Sequence, residues 1–162
     1  TPSSRVIEPL DQDIEFRVQT TERGGERVYR INVEPGETLG HYSDWLRLGG
    51  IAAIRELNGI QEMLNLQVGD ALLLPVSNQT QTFAFDQRRL EYHRVLVEEF
   101  KEHFEVHNVQ QYTIRPGDSV WRLASSFELP VWLIMRYNPE LRTTLPIAGD
   151  ILRIPLIRKR ST

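Results

Sequence analysis

The sequence predicts an α+β fold: two β-α-α-β domains joined by an amphipathic helix, with an N-terminal β-hairpin extension. Three observations carry that expectation. The first is an internal repeat. Pro35-Gly36 stands 81 positions before Pro116-Gly117, and Asn58, Gly69, Asp70 and Pro75 stand 80 before Asn138, Gly149, Asp150 and Pro155. One extra residue in the first copy, most simply within Arg47-Leu48-Gly49-Gly50 opposite Glu128-Leu129-Pro130, accounts for the shift, so the unit is duplicated. The second is a switch of hydrophobic period inside each copy, from alternation to helical spacing and back. The third is a long helical pattern between the copies, Gln87 to Asn108.

Taken in order, residues 1–26 form the extension, with a strand expected over 14–20 because Ile14, Phe16 and Val18 alternate. Glu22-Arg23-Gly24-Gly25 turns it back onto Val28 to Val33 as a hairpin. Residues 27–76 form the first domain. Pro35-Gly36 ends its strand, Thr38 caps a helix that points Tyr42 and Leu46 inward, and Ile51, Ile54 and Leu57 mark a second helix. Asn58-Gly59 stops that helix, and Ala71 to Val76 closes the unit as a strand. Residues 77–110 are the connector, loose over Ser77 to Thr82 and then helical over 87–108, with an apolar stripe of Tyr92, Val95, Leu96, Phe100, His103 and Phe104. That stripe requires a partner, expected to be one or both repeats; left exposed, it would serve a protein partner or self-association.

Residues 111–157 repeat the plan. Tyr112 and Ile114 alternate with polar neighbours, Pro116-Gly117 breaks the strand, and Asp118 or Ser119 caps a helix carrying Val120, Leu123, Ala124 and Phe127. Pro130 opens a second helix with Val131, Leu133, Ile134 and Tyr137 inward, Asn138-Pro139 stops it, and Gly149-Asp150 turns into Ile151 to Pro155. Residues 158–162 are a short basic tail.

Composition narrows the function classes. The chain has 162 residues, 40% apolar and 25% charged, which excludes collagen-like, low-complexity and mostly disordered chains. Its 19 basic residues against 22 acidic ones give a net charge of −3, unfavourable for a nucleic-acid partner. No cysteine is present, so disulfides, thiolate zinc sites and cysteine nucleophiles are excluded. The longest apolar run, Ala71 to Val76, is far short of the about 18–20 residues that span a bilayer. The chain opens Thr1-Pro2-Ser3-Ser4 without Met, and is expected to be processed or excised from a longer one.

No cluster of reactive side chains reads as an active site. Glu99, His103 and His107 fall on one face of the expected helix, but that spacing is met by many solvated helix faces, so no metal is expected. Asp11, Asp13 and Glu15 read as an exposed acidic strand edge. No serine sits in a nucleophile elbow, and Leu48-Gly49-Gly50-Ile51 lacks the lysine of a phosphate loop. Asn78-Gln79-Thr80 fits a glycosylation sequon by spacing alone. The expectation is a protein that is not an enzyme and uses no cofactor.

The pattern Pro-Gly-(Asp/Glu)-(Ser/Thr)-(Leu/Val), an Asn some twenty residues on, then Gly-Asp-x-Leu-x-(Leu/Ile)-Pro resembles the LysM domain. The second copy carries it in Gly117-Asp118-Ser119-Val120-Trp121-Arg122-Leu123-Ala124, Tyr137-Asn138-Pro139 and Gly149-Asp150-Ile151-Leu152-Arg153-Ile154-Pro155. The first copy carries it in Gly36-Glu37-Thr38-Leu39, Leu57-Asn58-Gly59-Ile60 and Val68-Gly69-Asp70, and departs at Gly40, where the second has Trp121. The hairpin and the central helix lie outside it.

The resemblance implies non-catalytic binding of glycans rich in N-acetylglucosamine, chiefly peptidoglycan with chitin as the related ligand, in the periplasm or cell wall of a bacterial envelope. It implies a shallow groove between the loop after the first strand and the loop before the last. Here those are Gly117, Asp118, Ser119 and Val120 with Asn138 to Ile147 (Asn138, Pro139 and Ile147 foremost), and Gly36, Glu37, Thr38 and Leu39 with Gly59 to Leu64 (Gly59 and Ile60 foremost). Unpaired N–H groups at a helix start suit acetamido carbonyls, and apolar side chains suit acetyl methyls. The same glycines also serve a positive-φ turn, and Asp118 and Ser119 also serve as caps. Two alternatives are a LysM-fold interaction scaffold without sugar binding and the targeting portion of a larger cell-wall hydrolase.

Overall fold

A computed structural model describes residues 8–59 and 66–161. Helix and sheet are mixed, and the chain forms two compact units. The first is Glu15–His93; the second comprises the described residues up to Ile14 together with those from Arg94 onward. In the first, β1 (Val18–Arg23) and β2 (Glu26–Asn32) form the hairpin about Gly24-Gly25, and β3 (Ala71–Pro75) adds to the other side of β2, all antiparallel. The strand expected over 14–20 thus begins at Val18 instead, because Phe16 turns away to lie over the Arg89 guanidinium, 4.1 Å from ring centroid to Cζ. Helices α1 (Leu39–Leu46) and α2 (Ala52–Asn58) bury Tyr42, Leu46 and Ile54 against Ile31, Leu72 and Leu74.

Helix α3 (Gln79–His103) is displaced from the expected 87–108 at both ends. Residues Ser77 to Thr82 are no loose connector. Asn78 Oδ1 accepts the Gln81 N–H (2.9 Å) and Gln81 Oε1 accepts the Ser77 N–H (2.6 Å), a reciprocal cap that starts the helix early. At the far end the chain is already extended at Phe104, so His107 lies in a strand and the Glu99–His103–His107 face does not form. Among the described residues no group of three metal-binding side chains comes together, and no helix is long and apolar enough to cross a membrane.

The second unit pairs β4 (Phe104–Thr113) with β5 (Ile151–Lys159), and packs α4 (Val120–Ser126) and α5 (Val131–Tyr137) around Leu123, Leu133, Ile134, Leu152 and Ile154. Val97 and Phe100 of α3 join this core and Phe85 joins the other, while Phe83 stays exposed. Val95, expected inward, is exposed. Asp11 and Asp13 do not line a strand edge; they pair with Lys101 and Arg94 at 2.6 Å.

The two units share a bond-for-bond skeleton. Tyr29, Arg30, Ile31 and Asn32 face Leu74, Leu73, Leu72 and Ala71 as Gln110, Gln111, Tyr112 and Thr113 face Ile154, Arg153, Leu152 and Ile151. Asn58 donates to Ile54 and Leu73 carbonyls and accepts from Leu73 N–H; Asn138 does the same with Ile134 and Arg153. Arg47 and Glu128 adopt the same left-handed backbone, so the extra residue falls after Leu48, at Gly49 or Gly50. Thr38 and Ser119 cap α1 and α4 through His41 and Arg122 N–H. Thr38→Ala is expected to destabilise the first unit by about 1 kcal/mol, read as a lower urea midpoint with unchanged m.

Candidate functional site

In the second unit Ile114 decides what lies beside what. Its N–H donates to Asp150 O and its carbonyl accepts from Gly149 N–H, both at 2.8 Å, just past the last β4–β5 pair. The turn from Arg115 to Ser119 and the turn from Ile147 to Asp150 therefore leave the same end of the ladder. Each is tied by its aspartate. Asp118 Oδ2 accepts the Arg115 N–H (2.9 Å) and the Tyr112 hydroxyl (2.7 Å), and Asp150 Oδ2 accepts the Ile147 N–H (3.0 Å). The Arg115 N–H first, and then the Tyr112 hydroxyl, hold the Asp118 carboxyl below its ordinary value. Gly117 takes φ 86°, which a side chain would strain, and lies open to solvent.

Around these turns the surface is apolar beyond what a small unit needs. Ile147 is 68% exposed, Leu145 84% and Trp121 62%, and Val120 is half-buried at the first position of α4. Leu145 lies within the expected loop Asn138 to Ile147 without being singled out there; its signal is an apolar residue in the polar stretch Thr143-Thr144-Leu145-Pro146. Ser119 is half-buried and Pro139 exposed. Asn138 does not line the surface: it is fully buried and its three hydrogen bonds join α5 to β5. Its part is to fix where the following loop begins. No nucleophile, base or metal set accompanies these residues among the described ones; the arrangement offers a polar turn, a helix start and exposed apolar side chains.

The equivalent turn of the first unit is built alike, with Gly36 and Thr38 exposed and its acidic side chain buried. Gly36 takes φ 83°, and Glu37 Oε1 accepts the Glu34 N–H (3.0 Å) and the Tyr42 hydroxyl (2.7 Å). Glu37 is one methylene longer than Asp118 and is buried. Arg89 donates from Nε to Oε2 (2.7 Å) and from Nη2 to Oε1 (2.9 Å), His93 Nε2 sits 2.7 Å from Oε2, and Arg89 also donates to Asn32 O. Burial would raise the Glu37 carboxyl, but the bonds from His93 and Arg89 outweigh it and bring it down to about 2. Tyr92 donates its hydroxyl to Gly36 O (2.8 Å), and its ring lies 4.7 Å from that of His41. Of the residues expected at this groove, Glu37 faces inward, Thr38 and Gly59 are exposed, Leu39 is half-buried, and Ile60 lies outside the described residues.

Comparison with known families agrees with one half of this picture. Residues 112–155 match the family model of the LysM domain. That match covers the second unit's turns, α4, α5 and the start of β5. It implies binding of N-acetylglucosamine-containing glycan by a binding domain, and such domains commonly occur in extracellular or cell-wall proteins. No curated protein matches the chain.

Proposed function

We infer that the chain is a non-catalytic glycan-binding protein of the bacterial cell envelope, with peptidoglycan as its ligand. Binding is carried by the second unit: Gly117, Asp118, Ser119 and Val120 on one side, Pro139 to Ile147 on the other, with Leu145 added and Asn138 positioning the loop. The observation that carries this reading is the pair of bonds from Ile114 to Asp150 and Gly149, which set an open helix start beside an exposed Ile147. Backbone N–H groups there suit the acetamido carbonyl, and Val120 and Ile147 suit its methyl.

The first unit is a second domain of the same kind. Its shared strand register and its Asn58 bonds, repeated 80 positions on by Asn138, support that reading. Its turn is the weaker candidate for sugar: Tyr92 holds the Gly36 carbonyl, and Arg89 and His93 draw the Glu37 side chain inward, whereas Asp118 stays near the surface.

The test is retention on purified insoluble peptidoglycan, with chitin beside it. Ser119→Tyr, which fills the second unit's turn and also removes the α4 cap, is expected to lower retention at least tenfold, the equivalent of about 1.4 kcal/mol. Ser119→Ala, which removes the cap alone, is expected to retain binding. Thr38→Tyr in the first unit is expected to leave retention unchanged. Equal retention by the parent chain and Ser119→Tyr would sink the site assignment. Retention by neither would sink the glycan reading.

A further inference from the structure

The shared skeleton exposes one difference that has nothing to do with sugar. In the first unit β2 is flanked on both sides, by β3 and by β1, whose Val18 to Arg23 pair with Ile31 to Glu26. The matching strand of the second unit, β4, is paired with β5 only. Eighty-one positions on, the stretch that β1 covers in β2 becomes His107 to Tyr112. Of these, His107 to Gln111 are exposed. No hairpin can fill the place locally, because β4 follows α3 without a break. All five strands of the described residues are already placed.

The two outer edges of this ribbon are guarded unequally. β5 carries Arg153, Pro155, Arg158 and Lys159, residues that keep an edge from pairing. Pro155 faces Val109 at a position where neither strand's N–H turns toward the other, so its missing donor is lost from the outer edge. Asn108-Val109-Gln110-Gln111-Tyr112 has no proline, no lysine or arginine and no carboxylate, and the one irregularity of β4, the register shift between Val106 and Asn108, lies before this stretch. The Ile114 N–H is spent on Asp150, so alternation turns the N–H groups of Thr113, Gln111 and Val109 outward. Val109 N–H is met by the side chain of its own neighbour, Asn108 Oδ1, at 2.8 Å, in the place a strand carbonyl would take.

We propose that the outer edge of β4 is the dimer interface of this protein, pairing antiparallel with β4 of a second copy to make a continuous four-stranded sheet. Pairing residues of like N–H direction sets the register: Val109 against Gln111, Asn108 against Tyr112, and Gln110 against its own mate on the two-fold axis, with the register shift between Val106 and Asn108 ending the paired stretch. That register places no like charges opposite one another, since Glu105 falls beyond the paired stretch. The glycan-binding turns, each following Thr113, then lie at opposite ends of the joined sheet. The inference does not depend on the glycan reading.

The absence of cysteine makes the axis directly testable. The parent chain is expected to shift from monomer to dimer with concentration in sedimentation velocity. Gln110→Lys sets two ammonium groups face to face and is expected to abolish the dimer while leaving the circular dichroism spectrum unchanged. Gln110→Cys, a non-hydrogen-bonded cross-strand pair, is expected to form a disulfide dimer roughly tenfold faster than an exposed control, Ser125→Cys, through its higher effective concentration. A parent chain monomeric at every concentration overturns the proposal, as does a dimer indifferent to Gln110→Lys or equal oxidation rates for the two cysteines. A monomer whose Gln111 amide resists hydrogen exchange overturns it too, by showing the edge covered within one chain.

Discussion

Glu37→Gln is expected to destabilise the first unit by roughly 3–5 kcal/mol, the usual cost of removing one partner from a buried ion pair. The Arg89 side chain is 1% exposed and cannot reach water, and its Nη1 already lacks a hydrogen-bond partner. Glutamine keeps the volume but removes the charge, and turns an NH2 donor toward the donors of Arg89 and His93. The check is urea denaturation of the two proteins, compared at constant m. A loss under about 1 kcal/mol would mean that Arg89 finds other solvation, and the buried pair would not matter to folding.

The same carboxylate makes the first unit acid-sensitive in a defined window. Its folded value is depressed to about 2 from 4.5, so its contribution is fully present above the unfolded value and is lost as pH falls through the folded one. Stability is expected to drop by about 3 kcal/mol between pH 5 and pH 2 on this account. Glu37→Gln lacks the group and is expected to show a correspondingly flatter profile. Parallel profiles for the two proteins would contradict the assignment.

Asn138→Ala is expected to cost roughly 2–4 kcal/mol in the second unit. The side chain is wholly buried, and its loss leaves the Ile134 carbonyl and both backbone groups of Arg153 without their partner. Asn58→Ala should do the same in the first unit, since the three bonds recur there at 2.7 to 2.8 Å. The comparison to make is with Asn108→Ala, an exposed asparagine in β4. If Asn138→Ala unfolded no more readily than that surface variant, the asparagine would not be what holds α5 to β5.

The strand pairings and asparagine bonds common to the two units were legible because their markers are backbone necessities. Gly36 and Gly117 serve a positive φ, and Asn58 and Asn138 satisfy backbone groups that nothing else reaches. Such residues cannot be exchanged for chemically similar ones, so they stand out in a single sequence. The role of α3 in the first unit was not legible. Its inward positions there are Phe85, Arg89 and His93, and two of those three count as polar in any hydrophobic pattern. The stripe was therefore read through Tyr92 and Val95, one of which is exposed. The helix ends were misjudged for local reasons. Asn78 and Gln81 form a capping pair inside the stretch Ser77 to Thr82 expected to be loose, and Phe104 continues the helical spacing of Phe100 although the chain there is already extended.

The candidate site divides the same way. Gly117 to Val120 and Ile147 could be placed from the Pro-Gly and Gly-Asp markers. Glu37 and Asp118 occupy one position of one motif and read alike, yet a single methylene lets Glu37 reach Arg89 and His93 while Asp118 stays with Tyr112 near the surface. Which copy keeps its carboxylate near the surface depends on residues 52 and 56 positions away, outside the repeat itself.

The second unit is stitched from both ends of the described chain. Tyr137 reaches Glu8 across 129 positions, Lys101 reaches Asp11 across 90, and Leu10 is buried in the core with Leu133 and Ile134. On the ribosome, Glu8 to Asp13 emerge before anything they bind, while Glu15 to His93 can close on themselves as soon as α3 clears the exit. Glu8 to Asp13 thus wait for Arg94, Lys101 and Tyr137, and the closure entropy of so long a loop falls on the unit that carries the proposed ligand site. Synthesis order separates the two units: one can assemble as soon as its own continuous stretch is made, and the other only after the whole of the first has passed.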